Sequence, residues 1–452
     1  MSRKPAQDNT ARLDTGGRGH DSSAVPTRPQ IAILGAGLAG LAAANRLKRG
    51  YRLFEGAAKP GGLCDTVEDS GYRFDRTGHL LHLSRPAVRR FVFDLMGDRL
   101  VELERRARIF SHGVYTHYPF QANTFGLPAE VAAECVAGFA EAYAARGGKM
   151  ALAETFEAFI LASFGPGIAR HFMIPYNKKL WGLHPREITA AWCDRFVPTP
   201  GLEEVVRGAL VAPQDRLGYN ATFFYPEGGI GELPAHMAAR VDVEPGARVT
   251  AIDWRNRRVR VRGAWVPYRA CIASAPLDRT LDLLVDPPQR IARVRAGLRC
   301  AGLRYLDVAL ERRPGTEHHW SYVPEPRLPF YRVGAYSHFS PAMAPRGKGC
   351  LYVELASRRP IRLDAVMPGV ISGLAEMGVI QGASDVRFAR PRFIPRAYVV
   401  YDTAYAEAVA SAIPWLEEHG ILPVGRYGRW EYAAMEDAIA QGFDAADAAL
   451  KL

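Results

Sequence analysis

Three glycines near the start of the chain have the spacing of a phosphate-binding turn. Gly35, Gly37 and Gly40 follow the apolar run QIAIL in a G-x-G-x-x-G pattern and lead into an alanine-rich run. In this pattern the first glycine permits a tight turn, the second lets a pyrophosphate approach the backbone, and the third lets helix and strand pack closely. Glu55, at the end of the next apolar run, is placed to accept hydrogen bonds from both ribose hydroxyls. The segment therefore predicts a dinucleotide site.

A second candidate is an arginine set among aromatic side chains. In RLPFYRVGAYSHFSP, residues 327–341, Arg332 stands in the middle of residues that suit a packed strand. A guanidinium keeps its charge at physiological pH, so a buried arginine needs an anion as compensation. The segment alone leaves two interpretations open, an outward-facing surface arginine and an arginine that binds an anionic ligand.

Histidine and cysteine residues give weaker signals. His79 and His82 lie in TGHLLHL, and a histidine near an apolar turn is most often a satisfied structural residue. The segment EHHW, residues 317–320, contains adjacent histidines that cannot readily bind one ion together, so we interpret it as a turn. The six cysteines are far apart and form no C-x-x-C pair. We therefore predict no metal site, no disulfide framework and a reducing, cytoplasmic location.

The elements that must position these residues alternate along the chain. The glycine segment indicates a strand, a turn, a helix and a second strand, and similar elements recur in the middle and at the C-terminus. We predict an α/β fold with a discontinuous Rossmann-type dinucleotide-binding domain, an inserted helical region and an antiparallel β-sheet substrate region. The predicted boundaries are a disordered tail at 1–29, the dinucleotide-binding domain at 30–115, 222–277 and 396–452, the helical region at 116–221, and the antiparallel sheet at 278–395.

Composition narrows the class of protein. The 452 residues are 48% hydrophobic and 23% charged, with a formal net charge of +11, as expected of a globular protein with a sizeable core. The basic residues are scattered and no helix-turn-helix, zinc-finger or RNA-binding pattern is present, so we predict no nucleic-acid partner and favour anionic small molecules. No apolar run is long enough to cross a bilayer, and the first 29 residues lack the apolar core of a signal peptide. We therefore expect no membrane insertion.

The segments at both ends of the chain resemble those of a flavoprotein superfamily. A glycine pair, Gly61 and Gly62, and then YRFDRTGHLLH follow Glu55, and GRYGRWEYAAMEDAIAQG lies near the C-terminus. These segments are similar to those of FAD enzymes of the amine oxidase and UDP-galactopyranose mutase superfamily. The resemblance implies FAD as the cofactor. The cofactor-binding residues that it implies are Gly35, Gly37, Gly40, Glu55, Gly61, Gly62, His79, Val249, Gly425, Met435 and Glu436.

Four internal segments sharpen the resemblance toward the UDP-galactopyranose mutases, especially their eukaryotic-type branch. They are HYPFQAN, KLWGLHPREITAAWCDR, GYNATFFYPEGG and SYVPEPRLPFYR. The resemblance implies a nucleobase site around Tyr118, Phe120 and Gln121, and a diphosphate held by Arg195 and Arg332. The other substrate-binding residues that it implies are Trp181, Asn220, Tyr322, Tyr398 and Tyr432. On this basis we expect Arg332 to contact the substrate, and neither the cofactor nor a buried partner within the protein.

The implied activity is a flavin-dependent mutase that interconverts the pyranose and furanose forms of a nucleotide sugar. In this family, N5 of reduced FAD attacks the anomeric carbon, so the implied catalytic residues are His79, beside N5, and the two arginines Arg195 and Arg332. The implied partners are a nucleotide-sugar substrate and NAD(P)H or another donor that reduces the flavin. The chain departs from the family pattern at four positions: Thr77 replaces a glycine, His82 an aromatic residue, Ser84 a second histidine, and Glu436 an asparagine.

Two alternatives remain open from the sequence. An FAD-dependent oxidase or desaturase of the amine oxidase type would share the glycine turn, Glu55 and the C-terminal segment. Such an enzyme does not need two arginines and a base-stacking pocket. A flavoprotein that binds a nucleotide sugar without converting it is the other alternative.

Overall fold

The structure is a computed structural model, and it describes residues 30–149, 151–193, 197–212 and 222–452. The predicted tail at 1–29 lies outside the described residues, and so do two predicted substrate ligands, Arg195 and Asn220. No helix in the described ranges is long and apolar enough to cross a bilayer. The described residues also contain no group of three or more His, Cys, Asp and Glu side chains that could hold a metal ion.

The described residues include seventeen strands and fourteen α-helices. The strands are β1 Gln30–Leu34, β2 Tyr51–Phe54, β3 Thr66–Asp69, β4 Tyr72–Asp75, β5 Leu100–Glu104, β6 Ala107–Ser111, β7 Val114–His117, β8 Thr222–Pro226, β9 Val249–Asp253, β10 Arg258–Val261, β11 Ala264–Ala273, β12 Cys300–Leu310, β13 Trp320–Tyr322, β14 Phe330–Ala335, β15 Gly349–Leu355, β16 Val386–Val399 and β17 Ile421–Pro423. The α-helices are α1 Leu38–Leu47, α2 Pro86–Met96, α3 Ala129–Ala145, α4 Phe156–Ile168, α5 Ile174–Trp181, α6 Leu202–Leu210, α7 Glu232–Ala238, α8 Leu277–Asp282, α9 Gln289–Val294, α10 Tyr336–Phe339, α11 Leu363–Glu376, α12 Tyr405–Glu418, α13 Gly425–Gly428 and α14 Met435–Ala449.

The first sheet is the Rossmann-type unit that the glycine segment predicts. Strand β1 lies between β2 and β11 and is parallel to both, and β17 continues the parallel set beside β11. The run from Ile31 to Leu34 is at most 3% exposed, because both faces of the sheet are covered. Helix α14, from the far end of the chain, packs so closely on α1 that a Cβ on Gly442 would lie 2.3 Å from the Ala39 carbonyl oxygen. The predicted α/β fold and its discontinuous dinucleotide-binding domain are therefore confirmed.

The second sheet has seven strands in the order β16-β12-β15-β14-β13-β6-β7. Its pairs are antiparallel except for the parallel junction between β13 and β6. The β6–β7 hairpin, residues 107–117, belongs to this sheet, whereas the predicted boundary after residue 115 leaves most of it in the first unit. Alternating side chains predict a hairpin, but its pairing with β13 depends on contacts that are distant in sequence.

The helices α3 to α6 form the inserted region beside the second sheet. Thr155 caps the N-terminus of α4, where its side-chain oxygen accepts a hydrogen bond from the Ala158 amide. Gly165 has a positive φ of 75° within the α4 segment and packs against α3, where a Cβ would meet the Gly138 carbonyl oxygen at 2.1 Å. A short π-helical turn, Ala169–Met173, leads into α5. This packing brings α5 against β14.

Candidate functional site

A cavity of about 990 Å³ opens at the carboxyl ends of the parallel strands. Leu34, Phe54 and Ser274, at the ends of β1, β2 and β11, line its floor, which is the place where nucleotides bind in open α/β sheets. Its lining includes these predicted cofactor-binding residues: Gly35, Gly37, Glu55, Gly61, Gly62, His79, Val249, Gly425 and Met435. The other two, Gly40 and Glu436, do not line it.

The three glycines of the turn differ in what surrounds them. Gly35 has a φ of +96°, a conformation that other residues rarely adopt. A Cβ on Gly37 would meet no protein atom within 4 Å, so this residue leaves open space beside the N-terminus of α1. A Cβ on Gly40 would lie 1.9 Å from the Gly35 carbonyl oxygen, so this residue allows the close packing of helix on turn. The geometry matches the three roles that a dinucleotide turn requires.

The carboxylate of Glu55 is fixed by backbone amides. One oxygen accepts a hydrogen bond from the Ala36 amide at 2.7 Å, and the other accepts one from the Ala57 amide at 2.7 Å. A carboxylate can accept about four hydrogen bonds, so two positions remain for a ligand's hydroxyl groups. We define the nucleotide cradle as Gly35, Gly37, Gly40 and Glu55.

His79 lies on the cavity wall in its neutral form. Burial lowers the pKa of His79 to about 4, although the contact between its Nδ1 and the Thr77 carbonyl acts in the opposite direction; Arg426, Arg332 and Arg76 lower the pKa further. Nδ1 lies 3.3 Å from the Thr77 carbonyl oxygen, so Nδ1 carries the proton and Nε2 is the acceptor. The ring therefore adds no positive charge to a wall that already contains arginines.

Two of the four departures from the family pattern contact each other. The carboxylate of Glu436 accepts hydrogen bonds from the Ser84 amide at 2.6 Å, the Ser84 hydroxyl at 2.5 Å and the Arg85 amide at 2.9 Å. It therefore attaches the segment that follows TGHLLHL to the first turn of α14 and does not face the cavity. A third departure, Thr77, has a φ of +69°, which is unfavourable for a β-branched residue.

A second group of side chains, which we call the tyrosine–arginine cluster, consists of Tyr118, Tyr176, Trp181, Tyr322, Arg332, Tyr398, Arg426 and Tyr432. Its members come from distant segments, and ring or cation–π contacts join them in two groups, Tyr118, Tyr176 and Tyr322 in one and Trp181, Tyr398, Arg426 and Tyr432 in the other. Arg332 lies opposite Tyr322 on the adjacent strand. Ring centres are 5.3 Å apart for Tyr118 and Tyr322, 5.5 Å for Tyr176 and Tyr322, and 5.8 Å for Trp181 and Tyr398. The Arg426 guanidinium carbon lies 4.3 Å from the centre of the Tyr432 ring. Because Arg426 also lines the cavity, the cluster adjoins the nucleotide cradle's cavity.

Burial favours the protonated form of three tyrosines of this cluster, Tyr118, Tyr176 and Tyr398. It raises the pKa of Tyr118 to about 12, with Tyr322 acting in the same direction, and it raises the pKa of Tyr398 and of Tyr176 above the usual range. A neutral phenol can donate one hydrogen bond to an anion without adding charge. The cluster therefore combines two permanent cations with several neutral donors.

Arg332 is not an outward-facing surface arginine, and its first counter-charge is within the protein. Nη2 of Arg332 pairs with Oε1 of Glu354, which lies on the adjacent strand β15. The Glu354 side chain is 0% exposed, and the Arg332 side chain is 21% exposed. The expectation that Arg332 has no buried partner is therefore wrong. Sequence reasoning missed Glu354 because the register of β14 against β15 decides this pair, and no local pattern specifies that register.

The predicted nucleobase residues divide into two kinds. Tyr118 belongs to the tyrosine–arginine cluster, but Phe120 is fully buried and stacks on Phe172 with ring centres 4.9 Å apart. Gln121 is 3% exposed, and its side-chain amide donates to the Pro198 carbonyl oxygen at 2.7 Å. Phe120 and Gln121 are therefore both buried against other protein groups, and their contact with a base stays a prediction.

Lys179 is another residue that sequence reasoning missed. Its ammonium group donates to the carbonyl oxygens of Val323 at 3.2 Å, Phe330 at 2.8 Å and Glu325. Val323 and Glu325 lie in the loop between β13 and β14, directly after Tyr322, and Phe330 is the first residue of β14, two residues before Arg332. Sequence reasoning also missed Arg426, which follows Gly425, and Tyr176, which like Lys179 shortly precedes Trp181. A charged or aromatic residue close to a predicted ligand is the signal that could have identified all three.

Comparisons with known proteins agree with this architecture. A family model described as an NAD(P)-binding Rossmann-like domain matches residues 33–95. The chain is similar to the crystal structure of a reduced UDP-galactopyranose mutase, with a TM-score of 0.87 and 25% identity over 94% of this chain and 96% of that chain. The chain therefore has the UDP-galactopyranose mutase fold, and the predicted relationship to this group is confirmed, while the eukaryotic-type branch stays a prediction.

Two oxidases share the fold at lower identity. A putative protoporphyrinogen oxidase from Exiguobacterium sp. 255-15 has a TM-score of 0.71 and 14% identity, over 94% of this chain and 100% of that chain. A wild-type putrescine oxidase bound to putrescine has a TM-score of 0.67 and 15% identity, over 94% of this chain and 99% of that chain. These similarities show that the chain shares its overall fold with both oxidases.

Proposed function

We propose that the protein is an FAD-dependent isomerase that interconverts the pyranose and furanose forms of a nucleoside-diphosphate sugar of the UDP-galactose type. The observation that carries the proposal is the tyrosine–arginine cluster beside the nucleotide cradle. Two arginines and several neutral phenols suit a diphosphate, which has two negative charges and many acceptor oxygens. The similarity to a UDP-galactopyranose mutase over nearly the whole chain supports the same activity.

The residues of the cradle fit FAD. The open space at Gly37 accommodates a pyrophosphate at the N-terminus of α1, where amide groups and the helix dipole favour negative charge. Glu55 retains two acceptor positions for ribose hydroxyls. When bound and reduced, by NAD(P)H or another donor, FAD supplies a nucleophilic nitrogen for the anomeric carbon of the sugar.

The chain's own residues bind and orient the nucleotide. The Arg332 side chain is 21% exposed, and Arg426 both lines the cavity and contacts the Tyr432 ring. Together with Tyr322, Tyr398 and the predicted ligand Arg195, they would hold the diphosphate after its bond to the sugar breaks. A leaving group that stays bound is available for the return attack, which removes the entropy loss of a second encounter.

His79 contributes a neutral acceptor to the same wall. Its proton is held on Nδ1 by the Thr77 carbonyl, and its low pKa, about 4, keeps Nε2 unprotonated at neutral pH. Because the His79 ring is neutral, the positive charge that would contact the diphosphate comes from the arginines. In the proposed reaction, the arginines would supply positive charge where the leaving group develops negative charge.

Amine oxidation is the rival function, favoured by the fold shared with putrescine oxidase. The charges of the cluster oppose it, because Arg332 and Arg426 would repel a cationic amine. The test is anaerobic incubation of the dithionite-reduced protein with UDP-galactopyranose, UDP-galactofuranose and other sugar nucleotides, followed by chromatography. We expect pyranose–furanose conversion with reduced protein and none with oxidised protein. Oxygen consumption and peroxide formation with an amine, without sugar conversion, would support the oxidase instead.

A further inference from the structure

We propose that Glu354 is a positioning residue that competes with the substrate's diphosphate for Arg332 and thereby weakens diphosphate binding. This inference rests on the proposed function, in which Arg332 binds a nucleoside diphosphate. In this role the Glu354 carboxylate limits the affinity of the protein for the leaving diphosphate and for the product.

The strand register places Arg332 between Glu354 on β15 and Tyr322 on β13. Arg332 on β14 and Glu354 on β15 are cross-strand neighbours. The Glu354 side chain is 0% exposed, while 21% of the Arg332 side chain is exposed. A diphosphate can therefore reach Arg332 only at the exposed part of its side chain, while the neighbouring Glu354 carboxylate has no exposed surface.

The pair leaves hydrogen-bonding capacity unused on both partners. Nη2 of Arg332 donates to Oε1 of Glu354, but Nε of Arg332 and Oε2 of Glu354 are buried without a hydrogen-bond partner. Arginine–carboxylate pairs are frequently bidentate, and a guanidinium has five N–H donors. One hydrogen bond to Glu354 thus holds Arg332 in place, and its remaining N–H groups are available to donate to a second anion.

The negative charge of Glu354 has opposite effects on the stability of the folded protein and on diphosphate binding. Without a counter-charge, Arg332 would be a largely buried cation, so Glu354 stabilises the folded protein. The same negative charge offsets part of the attraction between Arg332 and a diphosphate. A mutase that must release its product benefits, because a diphosphate held by uncompensated cations would dissociate slowly.

The decisive variant is Glu354→Gln in the FAD-loaded protein, since glutamine keeps the shape and removes the charge. We expect the dissociation constant for UDP, measured by calorimetry, to fall about tenfold, the effect of one charge-assisted hydrogen bond. The melting temperature should fall at the same time, and both kcat and KM should decrease as product release slows. A purely structural carboxylate would lower the melting temperature without tightening UDP binding.

A matched control is Asp385→Asn, which removes a carboxylate that is 1% exposed and pairs with Arg312 outside the tyrosine–arginine cluster. It should lower the melting temperature and leave UDP binding unchanged. If Glu354→Gln does not fold, Glu354→Asp is the second variant, because it keeps the negative charge but moves it away from Arg332 by the length of one methylene. UDP should bind two- to threefold more tightly to this variant than to the wild type.

The outcomes separate the inference from the proposed function. UDP binding that is unchanged or weaker in Glu354→Gln or Glu354→Asp, with wild-type protein that binds UDP normally, would overturn the inference alone. Wild-type protein that contains FAD but binds no UDP would overturn the proposed function and the inference together.

Discussion

The nucleotide cradle and the tyrosine–arginine cluster adjoin each other but are built in different ways. The cradle consists largely of backbone, from residues of one βαβ unit, with the Glu55 carboxylate fixed by two amides. The cluster consists of side chains from distant segments: Arg332 and its partner Glu354 are 22 residues apart, and Lys179 is 144 residues from Val323. A site made of backbone depends on local conformation, whereas a site made of side chains depends on how strands and helices pack.

This difference implies that a substitution in one region should impair the binding function of that region and not that of the other. A change in the cradle should remove FAD, whereas a change in the cluster should weaken nucleotide binding in a protein that still contains FAD. Variants that violate this separation would show that the two regions act as one unit.

The largest effect is expected from Gly37→Val. The new side chain enters open space, with no protein atom within 4 Å of its Cβ, so the chain should fold but lose FAD because the pyrophosphate cannot approach. Flavin absorbance and circular dichroism measure the two properties. The matched variant Gly40→Ala places a Cβ 1.9 Å from a backbone oxygen and should prevent folding instead. A yellow Gly37→Val protein with full FAD content would contradict the assignment of the turn.

Arg332→Ala should affect the cluster and the stability but not the FAD content. Loss of a charge-assisted contact should weaken UDP binding by roughly ten- to hundredfold. The fully buried Glu354 would lose its counter-charge, so the free energy of unfolding should fall by about 3–5 kcal/mol. Calorimetry with UDP, flavin absorbance and denaturant unfolding measure the three quantities.

The double variant Arg332→Ala/Glu354→Gln sharpens this result. It should recover much of the stability, because no uncompensated charge is buried, but it should not recover UDP affinity. Arg332→Lys should restore UDP binding only partly, since an ammonium lacks the planar fork. Normal UDP affinity in Arg332→Ala would remove this residue from the substrate site.

Lys179→Met tests whether the β13–β14 loop must be held against α5. The variant leaves three carbonyl oxygens without their donor, so the loop that joins Tyr322 to Arg332 should become less ordered. We expect UDP binding to weaken about tenfold with FAD retained. The exposed neighbour Lys178, changed to Met, is the control and should bind UDP like the wild type. Equal affinities in the two variants would mean that the loop keeps its position without Lys179.

The smallest effect is expected from Thr77→Gly. Thr77 is 6% exposed and has a φ of +69°, so glycine should relieve backbone strain and raise the free energy of unfolding by about 1 kcal/mol. Thermal unfolding measures this, with Ser70→Gly, at an exposed turn with a φ of 55°, as a control for glycine at positive φ. A lower melting temperature in Thr77→Gly would mean that the threonine side chain stabilises the loop by more than the strain.

The sequence by itself determined the dinucleotide-binding fold and most of the cradle. The roles of Gly35, Gly37 and Gly40 follow from the φ angles and close approaches of a short turn, and neighbouring residues specify such a turn. Resemblance between segments added Gly61, Gly62, Val249, Gly425 and Met435, and all five line the cavity. These residues were accessible because local backbone geometry or a recognisable segment fixes each of them.

Only the tertiary structure decided the partners of the side chains. Glu436, expected at the cofactor, binds the segment at Ser84 and Arg85, which is about 350 residues away in the chain. Arg332 pairs with Glu354, and the β6–β7 hairpin joins the second sheet, because strand register and sheet order place them there. The physical reason is that a charged or polar side chain is satisfied by whichever group packing brings within hydrogen-bond distance, and neither the spacing nor the composition of the chain specifies that group.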